Sequence, residues 1–191
     1  MAVRDQRQIA TYAALFVYGC VVACSVWRHE PWADEAQAWL LARDGGLITL
    51  WSTLLHYEGS PGLWHTVLWV LIKLGVPYRG EQIASALLGC SASWMLLTRS
   101  PFPIVVRLLL PFTYFLCYQY AVVARSYSLL PVLLFASVLL YHRSDQHFLT
   151  FTVILCLLAG VSVDGFLFSG RIWSVYQLGL LRRWPPLTVV P

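Results

Sequence analysis

Two carboxylates stand side by side in Trp32-Ala33-Asp34-Glu35-Ala36-Gln37. Adjacent acids where a helical pattern begins have two readings. They stabilise the positive end of the helix dipole, or they act as a general base or cation-holding pair at a surface. His56 and Glu58 flank a turn-rich stretch, His56-Tyr57-Glu58-Gly59-Ser60-Pro61, which is either a solvated loop or a polar site between two apolar runs. Arg125, in Ala124-Arg125-Ser126-Tyr127, lies between two apolar stretches. It either anchors a helix end at lipid headgroups or clamps a phosphate, whose oxygens fit the guanidinium fork. Asp164, in Val161-Ser162-Val163-Asp164-Gly165, is an acid at a helix end or in a loop. Arg107 has apolar neighbours on both sides and suggests no chemistry.

These polar groups stand out because so little else is polar. Hydrophobic residues make up 59% of the 191 residues and charged residues 12%. A soluble domain carries about 25% charged residues and could not cover its surface with half that number. The composition also excludes disorder, coiled coils, collagen and disulfide-stapled scaffolds. It leaves an all-α, polytopic membrane helical bundle, in which each polar residue is costly and calls for a reason. The net charge of +4 is spread over segment ends, which argues against nucleic acid as a partner. With no asparagine there is no N-glycosylation sequon. The five cysteines, Cys20, Cys24, Cys90, Cys117 and Cys156, lie in apolar runs without metal-ligand spacing and read as packing residues.

A spanning helix needs about 20 apolar residues. Ile9 to Trp27 meets this without a charge, and Arg4 and Arg7 before it put its start on the cytoplasmic side. Arg28 to Gly46 follows outside; it is net acidic and holds Asp34 and Glu35. Trp32, Ala36, Trp39, Leu40 and Leu47 recur there at helical spacing and predict an amphipathic helix lying in the interface. Pro31 and Gly45-Gly46 supply its start and stop signals. Leu47 to Leu55 and Leu63 to Val76 are apolar but short, the second holding Lys73. Ile83 to Thr98, Ser126 to Tyr141 and Phe148 to Val163 are expected helices, Ile104 to Ala124 is an apolar segment interrupted by Arg107 and Pro111, and Phe166 to Leu181 is a last partial segment. Leu181 to Pro191, with three prolines, reads as an unstructured end, and residues 1–191 as a single transmembrane domain.

Trp32 to Asp44, then Tyr-Glu-Gly-Ser-Pro-Gly-Leu-Trp at Tyr57 to Trp64, then Ala-Arg-Ser-Tyr-Ser-Leu-Leu at Ala124 to Leu130, follow one N-terminal helix. This order resembles the N-terminal half of the GT-C glycosyltransferases, in the branch of lipid-A-modifying and protein O-mannosyltransferases. The family's first outer loop carries an Asp-Glu pair, matched by Asp34 and Glu35. Its His-Pro-Pro-Leu-type turn is met by Ser60-Pro61-Gly62-Leu63, with serine for histidine and glycine for the second proline. Its Arg-x-Tyr element is matched by Arg125 and Tyr127. Asp164 stands where some relatives have a Val-His-Gly histidine.

The resemblance implies transfer of a sugar from a polyprenyl-phosphate donor to an acceptor on the outer face of a membrane, as a multi-pass protein of the bacterial plasma membrane. It implies Asp34 as general base with Glu35 beside it, and Arg125 at the leaving phosphate. Glu58, Tyr127 and Asp164 fall at substrate. A divalent cation, if used, falls to Asp34 and Glu35. Family members are longer, so the chain is expected to be the N-terminal part of such a fold. The rival expectation is a non-catalytic multi-pass protein, a transporter subunit or an assembly scaffold. One requirement follows for a shared site. Three apolar segments separate Asp34 from Arg125, so one of them must not cross, and Leu63 to Val76 is the best candidate.

Overall fold

The computed structural model describes residues 2–58 and 61–183. It is all-helical, with no strand among the described residues. Helix α1 is Ala2–Arg28, α2 Ala33–Asp44, α3 Leu47–Ser52, α4 Leu63–Lys73, α5 Gly80–Arg99, α6 Ile104–Leu109, α7 Leu129–Tyr141, α8 Phe148–Ala159 and α9 Val163–Arg183. Gln6–Arg28, within α1, is the one described helix long and apolar enough to cross a membrane. At 1.5 Å per residue its 23 residues reach about 34 Å, against a hydrocarbon thickness of about 30 Å.

A helix forms where an amphipathic interfacial one was expected, but its buried stripe differs from the predicted one. Glu35, Ala38, Trp39 and Ala42 face inward, while Trp32, Leu40 and Leu47 are exposed. The apolar periodicity was open to two registers, and packing of α2 against α4 selects the small residues Ala38 and Ala42, which let the helices approach closely. Glu35 fixes the start of α2 by accepting from the Trp32 backbone N–H at 2.7 Å, the returning half of a capping box.

Helix α4 stops because of Gly75, whose φ is +78°. Gly75 N–H donates to Ile72 O at 2.9 Å and Val76 N–H to Leu71 O at 3.0 Å, a Schellman stop that turns the chain after eleven residues. Those residues reach only about 16 Å, half a bilayer. Both flanks of α4 also return to α2: Trp64 and His65 line a cavity with Asp34, and the Tyr78 ring packs edge-on against Trp39 at 5.6 Å.

The apolar segment Ile104 to Ala124, expected to be interrupted at Arg107 and Pro111, is broken into short pieces. Pro111 has no N–H to give, so α6 tightens into a 3₁₀ turn at Leu110–Phe112, and a π turn follows at Phe115–Gln119. Residues 121–124 are non-helical yet fully buried. Irregular backbone survives at such depth only when its polar groups find partners within the protein. Val122 and Val123 N–H groups reach Tyr118 O, Ala124 N–H reaches Glu35, and Val123 O accepts from Ser85 and Ser128. Helix α5 meets this segment at Gly89, where a Cβ would stand 2.4 Å from the Ala121 Cβ. Tyr18 of α1 completes the contact, donating to Leu116 O at 2.7 Å.

The larger core joins Trp39 of α2, Trp64 and Leu68 of α4, Leu129 and Leu130 of α7, and Phe151, Leu155 and Leu158 of α8. Helix α9 begins at Val163, three residues before the expected Phe166, and Ser162 Oγ accepts from Gly165 N–H in its first turn. It runs on to Arg183, so residues 181–183 are helical where an unstructured end was expected. Residues 184–191, like Ser60 of the family-like turn, lie outside the described residues.

Candidate functional site

The cavity formed by α2, the 58 loop, the start of α4 and the 125–126 segment has a volume of about 220 Å³. Its walls carry Asp34, Gln37 and Ala38 from α2, Glu58, Trp64, His65, Arg125 and Ser126. Three of the six site residues expected from sequence, Asp34, Glu58 and Arg125, therefore share one space. Asp34 Oδ2 is 3.0 Å from Arg125 Nη2, and both side chains stay open, at 54% and 36% exposure. Glu58 is positioned by Gln37, whose Nε2 donates to Oε1 at 2.8 Å.

Glu35 goes elsewhere. Its carboxylate is fully buried and accepts three N–H groups: His29 Nε2 at 2.9 Å, Trp32 N at 2.7 Å and Ala124 N at 2.7 Å. Alternation along the first helical turn explains the split. Asp34 points outward to the cavity, and the next residue points inward to clasp the 121–124 segment. Glu35 thus brings Arg125 to Asp34 by holding the residue before it.

Tyr127 is half-buried and Asp164 is exposed in the first turn of α9; neither lines the cavity. The two share the electrostatic surroundings of Tyr120. His56 is exposed and likewise outside the cavity wall.

His65 is the functional candidate that the sequence reading passed over. It sits inside an apolar run, Leu63-Trp64-His65-Thr66-Val67-Leu68, where a lone histidine reads as helix filler. The available signal was its place three residues after Gly62, in the first turn of α4, level with Glu58. The side chain is 2% exposed, and Glu58 Oε2 lies 4.0 Å from its Nε2. Burial holds the imidazole below its ordinary pKa, with Glu58 opposing more weakly.

A second buried acid lies behind the site. Glu81, in the first turn of α5 ahead of the apolar run from Ile83, is 0% exposed. The Tyr78 phenol nearby is pushed up to about 12, mainly by burial and then by Glu81 and Glu35.

As to a cation, no group of three or more His, Cys, Asp or Glu side chains converges among the described residues. Asp34 and Glu35, the expected pair, diverge by about 100° around α2, one to the cavity and the other to the buried backbone. The cavity offers a base, a cation and hydrogen-bonding groups in a space smaller than the roughly 300 Å³ of drug-sized sites. That suits a small polar molecule that hydrogen-bonds to its carboxylates and guanidinium. No family model, curated protein or solved structure matches the chain.

Proposed function

We propose that this chain belongs to a polytopic membrane glycosyltransferase that moves a sugar from a polyprenyl-phosphate donor to an acceptor at the outer face of a bacterial plasma membrane. The observation that carries the reading is the Asp34–Arg125 pair, 3.0 Å apart on the wall of one small polar cavity.

Several features support a membrane setting beyond α1. Large apolar side chains are turned outward along the bundle, among them Phe16, Leu87, Leu109, Leu149, Phe166 and Val175. Soluble monomers rarely expose contiguous apolar surface beyond a few hundred Å², whereas lipid requires it. Trp27, Trp32 and Trp51, all exposed, lie in the segments next to the cavity, as tryptophans do at headgroup level. With α4 confined to one side, α5 leads across and the broken 104–120 segment leads back. This returns Arg125 to the side of Asp34.

The chemistry follows from the pair. The acceptor hydroxyl attacks the anomeric carbon and loses its proton to Asp34, while the bond from that carbon to the phosphate oxygen breaks. Arg125 offers its planar fork to the departing phosphate, whose charge grows as the bond lengthens. Without donor the guanidinium rests on Asp34. Donor phosphate draws it away and leaves the carboxylate free to act as base. Glu58, held by Gln37, is set to accept from a substrate hydroxyl.

The test is transfer in membranes from radiolabelled undecaprenyl-phosphate hexoses and pentoses to endogenous acceptors, comparing the parent protein with Asp34→Asn. Transfer that depends on Asp34 is expected. Absence of transfer from every lipid carrier hands the protein to the scaffold or transporter class.

A further inference from the structure

His65 is nine-tenths buried, on the cavity wall, and neither ring nitrogen has a hydrogen-bond partner among the described residues. A buried polar group left unpaired is costly, so a ligand atom is the natural complement. The nearest acceptor, Glu58 Oε2, is 4.0 Å from Nε2, too far for a direct bond. Its other oxygen is already engaged by Gln37. One oxygen atom placed roughly 2.8 Å from both Nε2 and Oε2 closes a triangle on that gap, with an angle of about 90° at the oxygen. Such an oxygen accepts from Nε2–H and donates to the carboxylate.

A hydroxyl does both at once. A phosphodiester does not, since it has no proton to give Glu58, and any phosphate is repelled by that carboxylate and by Asp34. A divalent cation is short of ligands here, with no third His, Cys, Asp or Glu converging among the described residues. We propose that His65 and Glu58 form a hydroxyl-binding subsite that grips one hydroxyl of the bound sugar and sets which sugars are accepted. The inference rests on the glycosyltransferase reading for the identity of the polyol, and on the cavity alone for the subsite. Burial of His65, which disfavours its charged form, keeps one nitrogen a donor and the other an acceptor.

The activity arm compares the parent, His65→Phe and His65→Gln, each first checked for a parent-like thermal melt in nanodiscs. With the donor sugar, His65→Phe is expected to lower kcat/KM about 10- to 100-fold, mainly through KM, and His65→Gln to recover part of it because it keeps a donor and an acceptor. A donor lacking the gripped hydroxyl, found by scanning monodeoxy sugars, is expected to be penalised by the parent and indifferent to His65→Phe. Parent-like kcat/KM and parent-like deoxy discrimination in His65→Phe overturn the subsite while leaving the transferase reading intact; that result assigns the slot to water.

The binding arm needs no turnover. Ring-¹⁵N-labelled histidine in the parent protein is titrated with methyl glycosides of glucose, galactose, mannose and arabinose, and separately with inorganic phosphate. A shift of the His65 resonance, identified by its loss in His65→Phe, with a glycoside and not with phosphate supports the subsite even if no transfer is ever seen. No shift with any glycoside, or a shift with phosphate alone, overturns it.

Discussion

Asp34 Oδ2 and Arg125 Nη2 lie 3.0 Å apart, yet the two side chains remain 54% and 36% exposed. A pair this wet contributes roughly 0–1 kcal/mol, too little to join the two segments. The joining is done by the buried Glu35 carboxylate on the Ala124 N–H and by the core around Trp64 and Phe151. The ion pair is therefore exchangeable, as the proposed release of Asp34 by an arriving phosphate requires.

From this, Asp34→Asn leaves the melting temperature within a few degrees of the parent and lowers sugar transfer by about 10²–10⁴-fold, the usual cost of losing a general base. Arg125→Lys keeps the charge without the fork and falls between parent and Asp34→Asn. Parallel melts and transfer assays read both quantities. A destabilised Asp34→Asn would mean that the pair is structural.

Glu35→Gln behaves in the opposite way. All three partners of the carboxylate are donors, and a glutamine must present its own NH₂ to one of them. Leaving a buried donor unpaired costs about 1–3 kcal/mol, more where a charge strengthened the bond. The fold loses that much stability, measured by denaturant unfolding in detergent, and any activity loss tracks the folded fraction.

Gly89→Ala overpacks the contact of α5 with the buried 121–124 segment. The new Cβ would meet Ala121 Cβ at 2.4 Å and its Cα at 2.9 Å, and backbone holds both sides. A loss of about 1–3 kcal/mol is expected, read as a lower melt. Ala121→Gly in the same chain relieves the Cβ contact and restores part of the loss.

The confinement of α4 to one side is tested by labelling. In a background with all five native cysteines replaced, Gln37→Cys is expected to react with a membrane-impermeant maleimide from outside, and Pro101→Cys only after permeabilisation. Outside labelling of both positions rejects a single crossing between them, and with it the combination of an α4 confined to one side and an α5 that crosses.

The sequence by itself determined the all-helical class and part of the punctuation. Pro31 and Gly45 mark the ends of α2 by local geometry that needs no distant partner, whereas the stop at Gly75, inside the apolar stretch Leu63 to Val76, showed only in the fold. The Asp34–Glu35 pair, Glu58 and Arg125 were legible as costly polar residues. What tertiary structure decided is which of them meet. Neighbouring residues on a helix point to different sides, so only the packing of α2 on α4 could send Asp34 to the cavity and Glu35 to the 121–124 backbone. His65, hidden in an apolar run, became visible only when α4 turned it toward Glu58. The break at Pro111 is local, but the path that then carries Arg125 to Asp34 rests on hydrogen bonds from Tyr18, Glu35 and Ser85, far off in the chain, and spacing along a sequence cannot report those.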